Sequence, residues 1–307
     1  MRNIEIRDLM KPTIAYHIGG HGTVSYYLNK LFKLNRLTLE QMGVVTPIPS
    51  RYRQVEAHFF SAHRDAPFSE EDQELFFDMI TDVDRFERLV LSYNAFLSNR
   101  QMAVTENGLY PSILLKMHFL RDLYFDFDID IFFEIESLAT FPFTLYEKIH
   151  DDKKAIFNSA QFTNIFAAES TIFRWKEIIR RISVSLPKAK ITVFCAEDVP
   201  IVWPSIVQKM TGSTSVFDFN GIYGLPLYHM KKSKRRPFLR SMKSMPPKSI
   251  DEYTDRIGSN LGDTMKVRDV SEQYYALGWG AKHIEYFNSV YEDDIEAIQR
   301  IPNVEVL

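Results

Sequence analysis

Short, uninterrupted apolar runs alternate along the chain with longer segments whose apolar positions recur every three or four residues. The runs are 13–18 (TIAYHI), 88–93 (RLVLSY), 129–135 (IDIFFEI) and 190–195 (KITVFC). Each reads as a strand that is dry on both faces, because a half-exposed strand would alternate apolar with polar positions. Between them the period is helical. Leu28, Leu31, Phe32 and Leu34 follow the first run; RYRQVEAHFFSA, a segment from about Pro111 and another from about Ala139 repeat the pattern. Ser170 to Val184 is the most amphipathic stretch, with Ile172, Trp175, Ile178, Ile179 and Ile182 on one face. Ser69 with Asp72, and Ser249 with Glu252, carry the spacing of helix caps, and Thr38 with Gln41 resembles a capping box. GVVTPIP after it is extended and interrupted by proline, as an edge strand is.

Strands buried on both sides and separated by helices require a parallel sheet covered on both faces. The expected fold class is therefore α/β: a doubly wound parallel sheet with flanking helices, in which 13–18 is central. After Trp203 the strand signal fades. Ile284, Phe287, Tyr291, Ile295 and Ile298 stripe a last helix, so residues 1–212 read as the α/β core and 213–307 as a mostly helical extension packed on it.

Composition excludes more than it identifies. With 307 residues, 45% hydrophobic and 25% charged, the chain has an ordinary globular balance, not a disordered or fibrous one. A net charge of -3 recruits neither nucleic acid nor an anionic membrane through a global field, so neither is an expected partner and any polyanion must use a local patch. Cys195 is the single cysteine, the first ten residues lack the apolar run of a signal peptide, and no run reaches a membrane span. These features point to a reducing compartment, the cytoplasm.

Chemistry concentrates after the first run, in Gly19-Gly20-His21-Gly22-Thr23-Val24-Ser25. A Gly-rich turn between a strand and a helix lets backbone N–H groups converge on an anion at the carboxyl edge of the sheet. The pattern is neither a Walker A nor a GxGxxG, so a tight turn without ligand is the equal reading. HIGGHGTVSYYL resembles the phosphosulfate-binding loop of sulfotransferases, particularly the bacterial branch with a His-Ile-Gly-Ala-His-Lys-Thr-Gly-Thr-Thr loop. GVVTPIPSRYR, LVLSYNAFLS, ATFPFTLYE, TVFCAEDVPIVWP and YEDDIEAIQRIPNVEVL are similar to proteobacterial proteins described only as sulfotransferase-like. The resemblance covers nearly the whole chain. It implies a sulfotransferase (P-loop NTPase-like) fold and the donor 3'-phosphoadenosine 5'-phosphosulfate (PAPS), with Gly19, Gly20, Gly22, Thr23, Ser25, Tyr26 and Thr144 at the donor-binding positions.

The resemblance breaks where the donor's charge would be met. Gly22 stands at the position of the family's loop lysine. Val24 stands at a family glycine, and a β-branched residue there is expected to reshape a loop that needs a left-handed backbone. Tyr26 replaces the last loop threonine. The family's Arg and Ser, eight residues apart, that hold the donor's 3'-phosphate fall on Glu136 and Thr144. Losing one Arg–phosphate contact costs ~1.5–3 kcal/mol, so Gly22 and Glu136 argue against PAPS. His17 and His21 each carry two readings. One is a general base or a protonated replacement for the lysine; the other is a packed strand-end or loop histidine. His21 is the candidate catalytic residue, with Lys30 the other cation near enough to stand in, and no metal set is evident.

Other constellations read as structural. His58 and His63 are five apart and miss a helical ligand spacing; Asp126, Asp128 and Asp130 lack the glycine and distal glutamate of a calcium loop. Residues 231–248 hold eight cations and no acid, a solvated face or an anion-binding segment in which Phe238 could stack. Three functions follow from the residues and the resemblance, one of them an adaptor in which the basic segment 231–248 engages an anionic surface or nucleic acid. The first is a sulfotransferase-like chain impaired in PAPS-dependent transfer and kept as a binding or interaction module, with a small anionic ligand at the Gly loop. The alternative is an active, divergent sulfotransferase that moves a sulfuryl group to a hydroxyl or amine.

Overall fold

The computed structural model describes residues 11–63, 67–150, 173–258, 261–266 and 279–307. Its strands are β1 (Thr13–Gly19), β2 (Val44–Val45), β3 (Arg88–Ser92), β4 (Val104–Thr105), β5 (Gly108–Leu109), β6 (Asp128–Ile135), β7 (Lys190–Cys195) and β8 (Val304–Val306). Six of them form one sheet in the order β2-β3-β1-β6-β7-β8, and every neighbouring pair is parallel. β4 and β5 are a small antiparallel hairpin outside it. The four apolar runs are its four inner strands, with β1 central.

The described α-helices are α1 (Val24–Leu34), α2 (Arg36–Gln41), α3 (Pro49–Ala62), α4 (Glu70–Ile80), α5 (Ile113–Leu123), α6 (Phe141–His150), α7 (Trp175–Ser185), α8 (Val199–Thr211), α9 (Gly224–His229), α10 (Lys232–Ser244), α11 (Ile250–Gly258), α12 (Leu261–Thr264) and α13 (Ala281–Ile298). Alternation along β1 divides the core. Ile14, Tyr16 and Ile18 face α3, α4, α5 and α7, whereas Ala15 faces α1 and α8 in a second cluster with Phe132, Phe194 and Trp203. Both faces are thus covered, as the uninterrupted apolar runs require. Among the described residues, no helix is long and apolar enough to cross a membrane.

Several local signals act as their chemistry dictates. Ser69 and Asp72 form the capping box of α4, and Ser249 Oγ accepts from the Glu252 N–H at 3.1 Å. Thr38 does not cap: α2 starts at Arg36, inside which Thr38 lies, and Asn35 precedes it. Asn35 Nδ2 donates to the carbonyls of Leu31 (2.7 Å) and Asn220 (2.9 Å), so that side chain ties α1 to residues 185 positions away. Asp130 pairs with Arg88, whose guanidinium also reaches the carbonyls of Lys209 and Met210, locking the amino ends of β3 and β6 to α8.

The chain after residue 213 contributes more than helices. Val216, Phe219, Ile222 and Leu225 join the second core cluster, and β8 pairs with β7 through Ile191–Val304 and Val193–Val306. α13 packs on α7, where the buried Asp294 carboxylate accepts from Arg174 Nε and the Trp175 N–H, both at 2.7 Å. Residues 170–172 of the amphipathic stretch lie outside the described residues, and the helix begins at Trp175.

Candidate functional site

The chain leaves β1 toward β2 and β3 on one side and later fills β6, β7 and β8 on the other, so the topological switch point is the crevice between β1 and β6. Its carboxyl end is built from the Gly loop and residues 134–136. The β1–β6 register shifts between His17 and Gly19, which turns the end of β1 into the loop. Gly20 has φ +103° and His21 φ 55°, whereas Val24 opens α1 in its first turn. The left-handed positions therefore fall on Gly20 and His21. Val24 is buried as an ordinary helical residue and does not reshape the loop.

What fills the loop is Glu134. A Cβ built at Gly22 would overlap both carboxylate oxygens of Glu134, and one at Gly20 would overlap the Glu134 Cβ. Gly22 is glycine because this carboxylate lies against its Cα. The side-chain space that the resemblance gives to a lysine is thus taken by the buried carboxyl group of Glu134. Glu136 is also buried and accepts from Thr144 Oγ1 at 2.7 Å, so the two residues that stand for the family's 3'-phosphate pair meet each other. Burial holds the Tyr110 phenol well above its ordinary pKa, and the carboxylates of Glu134 and Glu136 push it further.

The other predicted positions are placed as follows. His21 is fully buried with its ring 5.7 Å from that of Tyr110 at 21°. Thr23 precedes α1 and makes no side-chain cap; its carbonyl accepts from the Tyr26 N–H at 3.1 Å. Ser25 is buried and donates to the Ser92 carbonyl at 3.2 Å, so its hydroxyl is already engaged. Ser92 Oγ donates to Ser25 Oγ at 3.1 Å and lies 3.0 Å from His17 Nδ1. His17 is pushed down to about pKa 3 by burial, with Arg53 acting in the same sense, so it stays neutral at physiological pH. Tyr26 is 64% exposed on the outer side of α1. Gly19 ends β1, buried.

Three participants carry no local signal in the sequence. Glu134 sits inside an apolar run, and its carboxylate reaches Gly22 only because β6 pairs with β1. Arg53 Nη2 donates to the Ser92 carbonyl at 2.7 Å, with its guanidinium 4.5 Å from the Tyr93 ring centroid, an ordinary helical arginine until the fold brings it to the end of β3. Asn94 Nδ2 reaches the Gly22 carbonyl at 3.4 Å. Cys195 is buried and its thiol is pushed up to about pKa 11 by burial, which makes it a small packed side chain and not a nucleophile. Among the described residues no group of three or more His, Cys, Asp or Glu side chains is arranged to hold a metal ion. A groove of about 1040 Å³ beside Lys11, Asp78, Arg88 and Phe127 lies at the opposite, amino end of the strands.

These residues do not fit a phosphosulfate. A carboxylate beside a phosphate opposes it by ~4 kcal/mol per unit charge at ~4 Å and an effective dielectric of ~20. Arg53 is the cation the described residues bring to this edge, and its Nη2 is bonded to Ser92.

No family model matches the chain, and no curated protein matches it. Among solved structures, the crystal structure of a sulfotransferase from Alicyclobacillus acidocaldarius is similar, at 13% identity and a TM-score of 0.42, over 86% of this chain and 98% of that one.

Proposed function

We propose that this chain is a sulfotransferase-like protein that has given up PAPS-dependent sulfuryl transfer and acts as a binding or interaction module. The observation that carries this reading is the Glu134 carboxylate against Gly22, where the resemblance expects the lysine that meets the donor's phosphosulfate. Glu136 bound to Thr144 supports it at the second phosphate position. An anion at each position where the donor is dianionic opposes binding from both ends of the nucleotide.

Calorimetry with PAPS at ~0.15 M ionic strength tests the reading directly. The expected result is no measurable binding. A low-micromolar Kd would overturn it and favour an active, divergent transferase.

A further inference from the structure

The surface that runs from the start of α1 to α10 joins exposed aromatic rings to a row of exposed cations. Tyr26 and Tyr27 meet edge to face with centroids 5.1 Å apart, and Tyr27 lies 5.6 Å from Tyr228 at the end of α9. Tyr26 is 64% and Tyr228 44% exposed. Lys266 Nζ stands 4.7 Å over the Tyr228 ring, and both Lys266 and Arg235 donate to the Tyr228 carbonyl. The aromatic row therefore continues directly into the basic segment.

On α10, Lys232, Arg236, Arg240 and Lys243 are spaced 4, 4 and 3 residues apart, which places them on one face, and all four are exposed. Successive members are ~6, ~6 and ~4.5 Å apart along the axis. Lys234 is the member of this segment that finds an acid, Asp263 at 2.7 Å; among the described residues the four of the stripe form no ion pair. Partial burial and the neighbouring charges of Arg235 and Lys232 hold the Lys266 ammonium below its usual range, a sign of cations crowded together. Phe238, the aromatic expected to stack, is turned inward with its ring 6.0 Å from Tyr223.

We infer that this surface binds single-stranded nucleic acid, the cationic stripe following the phosphodiester backbone and Tyr26 and Tyr228 taking bases. Cations at a regular step beside exposed rings suit a chain that offers a charge and a π-face at every unit. An acidic peptide has no use for the rings, and a bilayer needs an apolar face that the Lys- and Arg-rich helix does not present. The net charge of -3 does not oppose this, because the field that matters within a Debye length is local.

The test is fluorescence anisotropy with the full chain and a labelled 20-mer of deoxythymidine, alongside its duplex and phosphatidylserine vesicles. Four phosphate contacts predict saturable binding that weakens ~50-fold between about 50 and 200 mM salt. Arg236→Glu with Arg240→Glu should weaken it at least ~10-fold. Tyr26→Ala with Tyr228→Ala should weaken it at least ~30-fold, with an unchanged melting temperature in each case. The inference is overturned by no saturable binding at the lower salt, by duplex bound as tightly as the single strand, by capture of vesicles but not the oligonucleotide, or by indifference to the tyrosine pair.

Discussion

His21 and Tyr110 stack at 5.7 Å, and both hold left-handed backbone, at φ 55° and 45°. For a residue with a Cβ that conformation costs roughly 1–2 kcal/mol, which the buried ring contact offsets. His21→Ala loses the stack and keeps the strain, while His21→Gly loses the stack and relieves it. Urea denaturation should therefore rank Gly above Ala at position 21 by ~1 kcal/mol, the reverse of the order in a helix. Ala equal to or better than Gly would show that the backbone there is unstrained.

Position 22 tests the packing of the loop itself. Gly22→Ala places a methyl group on the Glu134 carboxylate and should cost ~1–3 kcal/mol. In a Glu134→Ala background the same substitution should cost at least ~1 kcal/mol less, a coupling measurable by a double-mutant cycle. Additive effects would mean that the two side chains do not share this space.

The β1–β6 pairing explains how much of this was legible from the sequence. Strands β1, β3, β6 and β7 were readable because burial on both faces leaves continuous apolar runs. β8 was not: it has three residues, and Glu305 at its centre is exposed, as an edge strand allows. The Gly loop is a local pattern, whereas the eight-residue step from Glu136 to Thr144 is marked only by the resemblance. Glu134 carries no signal of its own, because FFEI reads as one more buried strand and nothing within it says that a neighbouring strand will present Gly22. Tyr27 and Tyr228, 201 positions apart, become a pair only through the packing of α9 on α1.

Glu56 supplies a pH dependence. It is buried, accepts from Tyr16 Oη at 2.6 Å, and burial raises its pKa from 4.5 to about 7 against the opposing effects of Tyr16, Lys116 and Arg53. The folded state then holds a proton that the unfolded state has lost, so this group's contribution falls as pH rises from about 4.5 to about 7. The change is roughly 3 kcal/mol. His17 acts oppositely: its lowered pKa removes stability as pH falls from 6.5 to about 3. Glu56→Gln keeps an acceptor for Tyr16 and cannot ionise. It should match the parent chain near pH 5 and exceed it at pH 8; denaturant midpoints across that range decide, and a constant difference would contradict the assignment.

On the proposed function, the Glu134 carboxyl group, and not merely a missing lysine, excludes the donor nucleotide from the Gly loop. Titration calorimetry with 3'-phosphoadenosine 5'-phosphate on the parent chain, Gly22→Lys, and Gly22→Lys with Glu134→Ala measures this most directly. No binding by the parent is expected, and binding by the double variant should be at least ~10-fold tighter than by Gly22→Lys alone, because a lysine facing Glu134 is neutralised by it. Low-micromolar binding by the parent chain, or equal affinity in the single and double variants, would contradict it.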